Sequence, residues 1–302
     1  MFSNKDIFTI VISAEFIIGM LGNGYIGLVN WIDWIKKKKI SSIDYVLTSL
    51  AISRMCLIAT IVLHGILITL YPSVFENSKI HTAVCSFWIF FNYLSMWFAT
   101  CLNVFYCLKI ANFSHPFFLW LKWRTDRVVH WILLGCFAIS FFIGIILAPI
   151  VSYGHRFHNL IKDSKNISEM FYVSKIQYFE PMTLFNLFAM VPFIFSLISF
   201  FILIVSLRRH INQMKLNSKG GRDPNTQAHV KAMKIITSFL FFFFIYCVFC
   251  LLVTFSYLIT EENLTMMVGE IVAILYPSGH SVILIFGNNK LRKPSFRMLT
   301  YR

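Results

Sequence analysis

The chain has 302 residues, of which 58% are hydrophobic, 13% are charged and 33 are phenylalanine, with a formal charge of +14. Soluble globules carry about a quarter charged residues, so this composition excludes an ordinary soluble domain and points to a polytopic membrane protein. The positive balance does not indicate nucleic-acid binding, because the lysines and arginines gather in alternate connecting segments and read as topology.

Runs of about 20 apolar residues fall at roughly 8–31, 43–71, 84–108, 128–150, 183–207, 235–258 and 266–287. Each is expected to be helical, since hydrocarbon cannot satisfy an unpaired backbone. The fold class is therefore all-α, one seven-transmembrane helix bundle spanning residues 1–302 as a single domain. The first run exceeds the usual signal-peptide core and lacks a small-residue cleavage pattern, so it reads as a retained helix. Segments 32–42, 109–127, 208–234 and 289–302 hold 4, 4, 7 and 5 of the 27 basic residues, whereas the N-terminus and the segments 72–82, 151–182 and 259–265 hold 1, 1, 4 and 0. That asymmetry predicts an extracellular N-terminus and a cytoplasmic C-terminus.

In the first span, Leu21-Gly22-Asn23-Gly24 offers a small-residue packing surface and a buried carboxamide. Glu15 lies about two turns in from the outer end. Ser41-Ser42-Ile43-Asp44 reads as a capping-box-like start for span two. Within that span Arg54 sits near mid-depth, where an unpaired charge is costly, so it must face the bundle with partners; Asn23 and neighbouring backbone carbonyls are the candidates. His64 higher in the span reads as a bundle histidine.

Span three carries Trp88, Asn92 and Ser95 at i, i+4 and i+7, so an indole, a carboxamide and a hydroxyl share one face that could line a cavity. Its inner end reaches Lys109 and is expected to stop at His115-Pro116. Span four is expected to end at Pro149 and to act as scaffold. The segment 151–182 reads as the longest outer loop, with Asn166-Ile167-Ser168 as a glycosylation acceptor. Pro192 places a hinge in span five, and 208–234 forms the largest inner loop. In span six Tyr246 alone offers a polar handle at depth, and span seven supplies Glu270, a membrane-embedded acid suited to a ligand's charge or donors. The seven cysteines all fall in or beside spans, and Cys85 has no partner in 151–182, so no disulfide is expected.

No phosphate-binding loop, zinc motif or nucleophile elbow appears, so the reading includes no enzyme, no cofactor and no metal. Seven unlike spans without an internal repeat also argue against a secondary transporter.

Five segments in order carry a resemblance: LAISR at 50–54, FYCLKIANFSHP at 105–116, SLRRH at 206–210, RDPNTQAHVKAMK at 222–234 and PSGHSVILIFGNNKLRK at 277–293. They closely resemble the type 2 (bitter) taste receptors, and the resemblance covers nearly the whole chain. The absence of DRY, NPxxY and a loop disulfide fits that family. The resemblance implies a multi-pass, plasma-membrane G-protein-coupled receptor that binds small bitter agonists and activates a gustducin-type heterotrimeric G protein. It assigns Trp88, Asn92, Tyr246 and Glu270 to ligand contact, and Arg54, Tyr106, Pro277, His280 and Ser281 to the activation switch. Lys109, His210, His229 and Lys290 fall on the G-protein side, and Asn166 matches the glycosylation site. Membrane lipid is a further partner, nucleic acid is not, and homo- or hetero-oligomerisation is left open.

Overall fold

The computed structural model describes residues 4–38, 41–75, 77–111, 116–162, 168–216, 224–259, 262–288 and 290–292, with side chains among others at 152–181, 213–225, 256–267 and 270 outside that description. The described residues form α1 (Asn4–Lys37), α2 (Ser42–Leu70), the single-turn α3 (Pro72–Phe75), α4 (Ser78–Ile110), α5 (Pro116–Lys162), α6 (Ser168–Leu216), α7 (Pro224–Ile259) and α8 (Glu262–Gly287). Six of these helices are long and apolar enough to cross a membrane, and α8 contributes a shorter apolar stretch, Ile271–Gly287.

The helix ends follow local chemistry. Ser41 caps α2, its hydroxyl accepting from the Asp44 amide at 3.4 Å. Asn77 caps α4 in the same way through Lys79, and Pro116 occupies the first position of α5, where a missing N–H is tolerated. Chain termination of α1 falls at Lys38, whose φ of 50 is left-handed and whose amide returns to the Trp34 carbonyl at 2.7 Å.

Neighbouring long helices pack in the closed sequence α1–α2–α4–α5–α6–α7–α8 and back to α1, and α4 also reaches across to α6 and α7. The span-three helix is thus the central one, and its Ile89, Tyr93, Met96, Ala99 and Leu102 are fully buried. Large apolar side chains such as Trp131, Phe142, Leu187, Phe201 and Phe241 point outward, as lipid-facing positions do.

Three expectations are corrected. Pro149 does not end its helix: α5 runs through it to Lys162, and α6 begins at Ser168, so most of 151–182 is helix rather than loop. Hydropathy marks where the chain leaves hydrocarbon, whereas a helix already nucleated propagates past that point by adding one backbone hydrogen bond per residue. The inner loop is likewise shorter than 208–234, because α6 continues to Leu216 and α7 starts at Pro224. Finally, the close approach of α1 is at Gly19, where a Cβ would collide with Ser278 and Ile58, while Gly24 has open space around it.

Candidate functional site

Near the end where α2 finishes and α4 begins lies a cavity of about 250 Å³. Its polar wall comes from His64 on α2, His81 and Cys85 on α4, Asn186 on α6 and Tyr246 on α7. The rest is apolar and aromatic, with Trp88 and Phe185 facing Val272 and Ala273 of α8. A largely apolar concavity with a few convergent polar groups is the usual form of a small-molecule site.

Its aromatic wall is fixed from behind. Trp88 stacks on Phe185 with centroids 5.1 Å apart and planes at 13°, and the Tyr93 hydroxyl donates to the Phe185 carbonyl. Asn186 spends its amide on the Met182 carbonyl at 2.8 Å and the Thr254 hydroxyl at 3.3 Å. Its carbonyl oxygen is therefore the group it offers the cavity. Asn92, assigned to ligand contact, stands one layer back: it is buried and its Nδ2 donates to the Tyr246 hydroxyl at 2.6 Å. Glu270 lies on α8 between the cavity-lining Gly269 and Val272, and its side chain is outside the described residues, as is Asn166 altogether.

Below the cavity a polar knot joins α1, α2 and α8. Arg54 is fully buried, its Nη1 donating to Ser281 Oγ at 2.8 Å and its Nη2 lying 2.6 Å from His280 Nδ1. A guanidinium cannot accept, so His280 Nδ1 is the acceptor and the proton sits on Nε2. Ser281 Oγ donates in turn to Asn23 Oδ1 at 2.7 Å, and Asn23 Nδ2 returns to the Gly19 carbonyl. The sequence-based partners of Arg54 are therefore corrected: Ser281 and His280 bind it, and Asn23 is reached only through Ser281. Pro277 sits inside α8, and its carbonyl, also 2.7 Å from Ser281 Oγ, shares the single hydroxyl proton with Asn23 Oδ1.

An aromatic column connects cavity and knot. Tyr246 lies 5.5 Å from Tyr276, Tyr276 lies 6.0 Å from Phe239, and Phe239 lies 5.3 Å from His280, all between ring centroids.

At the lysine-rich end the assigned residues divide. Lys109 is exposed in the last turn of α4. His229 is buried, its Nε2 lies 3.2 Å from Ser206 Oγ, and its ring stacks on His210 at 5.9 Å, so this pair clamps α6 to α7. Lys290 pairs with Asp33 and Asp44 at 2.8 Å each and donates to Asn30 at 3.1 Å, tying the chain after α8 to α1 and α2. Burial opposes its charge, but the hydrogen bonds to Asp33 and Asp44 prevail and hold its pKa above the ordinary 10.5. Tyr106 bridges the main core and a smaller cluster around Cys107, Leu203 and Ile236.

Sequence reasoning left out His81, Asn186 and Tyr276. His81 and Cys85 stand at i, i+4 before Trp88 on one face, a spacing that could have revealed the wall. Asn186 and Tyr276 meet their partners only across helices, which a single sequence does not display.

The family model described as Taste receptor protein (TAS2R) matches residues 1–302. The chain is 64% identical to taste receptor type 2 member 8 of Pongo pygmaeus over 99% of this chain and 97% of that protein. It is 61% identical to the protein of the same name from Homo sapiens, over 100% of this chain and 98% of that one. Identity to taste receptor type 2 member 7 of Pongo pygmaeus is 50%, over 95% of this chain and 90% of that one. Matches of this extent, on an all-helical bundle, mean that the chain belongs to the type 2 taste receptor family: a multi-pass G-protein-coupled bitter taste receptor and not an enzyme.

Proposed function

We propose that small bitter agonists bind in the cavity walled by Trp88, Phe185, Asn186 and Tyr246, and that the signal passes through the aromatic column to the Arg54 knot. The observation that carries this reading is the unbroken ring contact from Tyr246, in the cavity wall, through Tyr276 and Phe239 to His280, which holds Arg54. A ligand shifts an equilibrium only by touching two states differently. Tyr246 is the residue placed to do so, because its hydroxyl is anchored by Asn92 while its ring abuts Tyr276.

In this reading residues 1–302 act as one seven-span receptor domain in the plasma membrane, with the N-terminus outside, Asn166 glycosylated and Glu270 disposed toward the ligand. Lys109, with the α6–α7 pair His210 and His229 and the Lys290 clamp behind it, belongs to the cytoplasmic face that meets a gustducin-type G protein. The Arg124 guanidinium over Trp120, at 5.1 Å, suits the headgroup region of the same face. Oligomers add nothing that this mechanism requires.

The test is calcium release in cells carrying this chain and a gustducin-like chimeric G protein, over a panel of bitter compounds. Wild type responds to one or more of them, and Trp88→Ala raises the half-maximal concentration on the order of tenfold or more, the size expected for losing a buried aromatic contact. Unchanged potency for every agonist found, at equal surface expression, would remove the cavity from the account.

A further inference from the structure

Asn186 holds its side-chain amide in one orientation. Its Nδ2 donates to the Met182 carbonyl at 2.8 Å and to the Thr254 hydroxyl at 3.3 Å. Thr254 Oγ1 has already given its single proton to the Cys250 carbonyl at 2.7 Å, so toward Asn186 it acts as acceptor only. Turning the amide over would set Oδ1 against the Met182 carbonyl, two acceptors with no proton between them. Oδ1 is thus fixed as the atom that Asn186, a lining residue only 8% exposed, presents to the cavity. The other polar side chains of the described wall are not fixed in sign. His64 and His81 each carry a ring whose two nitrogens can exchange donor and acceptor roles, the Cys85 and Cys250 thiols do either weakly, and the Tyr246 hydroxyl, which accepts from Asn92, keeps its own proton. Asn186 is therefore the side chain, among those described in the wall, to whose polarity a ligand must conform.

We propose that Asn186 sets agonist specificity by requiring an N–H or O–H donor on the bound compound, a requirement that rests on the cavity being the agonist site. A ligand without such a donor would cover Oδ1 without bonding it, and a buried acceptor left unpaired costs more than a formed hydrogen bond contributes. Sites of this kind discriminate sharply against an analogue that lacks the hydrogen, whereas a spare methylene on an apolar wall is rejected only weakly. The rest of the wall fits the body that carries the donor: Trp88, Phe185 and Phe249 are aromatic, and Val253 and Val272 are aliphatic. The matching class is a compact, largely apolar molecule with one donor, such as a secondary amide, a lactam or a phenol.

The experiment measures calcium release from cells expressing the full chain, at matched surface expression, for pairs of compounds that differ only by methylation of the donor: theobromine with caffeine, acetanilide with N-methylacetanilide, and phenols with their methyl ethers. In the wild type methylation raises the half-maximal concentration on the order of tenfold, the size of one hydrogen bond lost with its acceptor left buried. In Asn186→Leu the two members of a pair come within about twofold of each other, because the residue and the donor form one contact. Equal potency within every pair in the wild type, silence toward every donor-bearing member, or a methylation penalty that persists in Asn186→Leu, as a steric one would, overturns the proposal. Trp88→Ala separates it from the cavity reading. Potency lost there for both members alike, with no Asn186-dependent difference between them, removes the donor requirement and leaves the cavity; potency unchanged there removes both. Should Asn186→Leu fail to reach the surface, Asn186→Ala, which introduces no bulk, reads the same difference with the same outcomes.

Discussion

The Tyr246 hydroxyl and the Asn92 amide, 2.6 Å apart and both buried, illustrate how single side chains set this receptor's properties. Tyr246→Phe removes the acceptor and strands the amide, at a cost of about 1–3 kcal/mol. The purified variant therefore unfolds at lower temperature, and Asn92→Ala added to it costs little more, because the two residues form one contact. Ser281→Ala acts more widely, since Ser281 accepts from Arg54 and donates to Asn23. It should lower the unfolding temperature further than Tyr246→Phe, with loss of agonist efficacy greater than loss of potency. Much of this chemistry was legible in the sequence: Arg54 at mid-depth demanded partners, and the family motif pointed to His280 and Ser281. What the sequence did not display was their geometry. It suggested Asn23 as a direct partner, and the real link passes through Ser281, because only the fold decides which of two polar groups lies nearer. Asn92 was expected at the ligand, and a spacing of i, i+4 from Trp88 cannot tell a wall position from the layer behind it.

At the level of helices, the apolar runs located every long element, and the ends were wrong where the chain leaves hydrocarbon without leaving helix, as in α5 beyond Pro149. Two contacts between elements have definite consequences. At Gly19 a methyl group would meet Ser278 and Ile58, so Gly19→Leu should force α1 away from α2 and α8, costing about 1–3 kcal/mol and lowering surface expression. Gly24→Ala, on the same helix in open space, should leave expression unchanged. The second contact is the clamp of Lys290 on Asp33 and Asp44. Its lysine titrates higher when folded than when unfolded, so its stabilisation is fully present below the unfolded pKa of 10.5 and is lost as pH rises through the still higher folded value. The difference in unfolding temperature between wild type and Lys290→Met should accordingly be flat through neutral pH and shrink only above about pH 10.5, with a plateau on the order of 1 kcal/mol for a partly exposed cluster.

Taken as a whole, the molecule is a ring of seven long helices among the described residues, with α4 reaching across it. Its polar clusters include the cavity wall, the Arg54 knot and the Lys290 clamp. The first two are joined by aromatic contact, so an event in the cavity can bias the knot without any long-range field. The central claim is that agonists act from inside this cavity, and filling it is the most direct test. Ala273 faces the cavity from α8, and Ala273→Trp adds an indole to its space. Calcium dose–response curves, taken with equal surface expression verified by an N-terminal tag, should show agonist responses abolished or shifted by at least about a hundredfold in this variant. Curves that superimpose on those of the wild type would contradict the account.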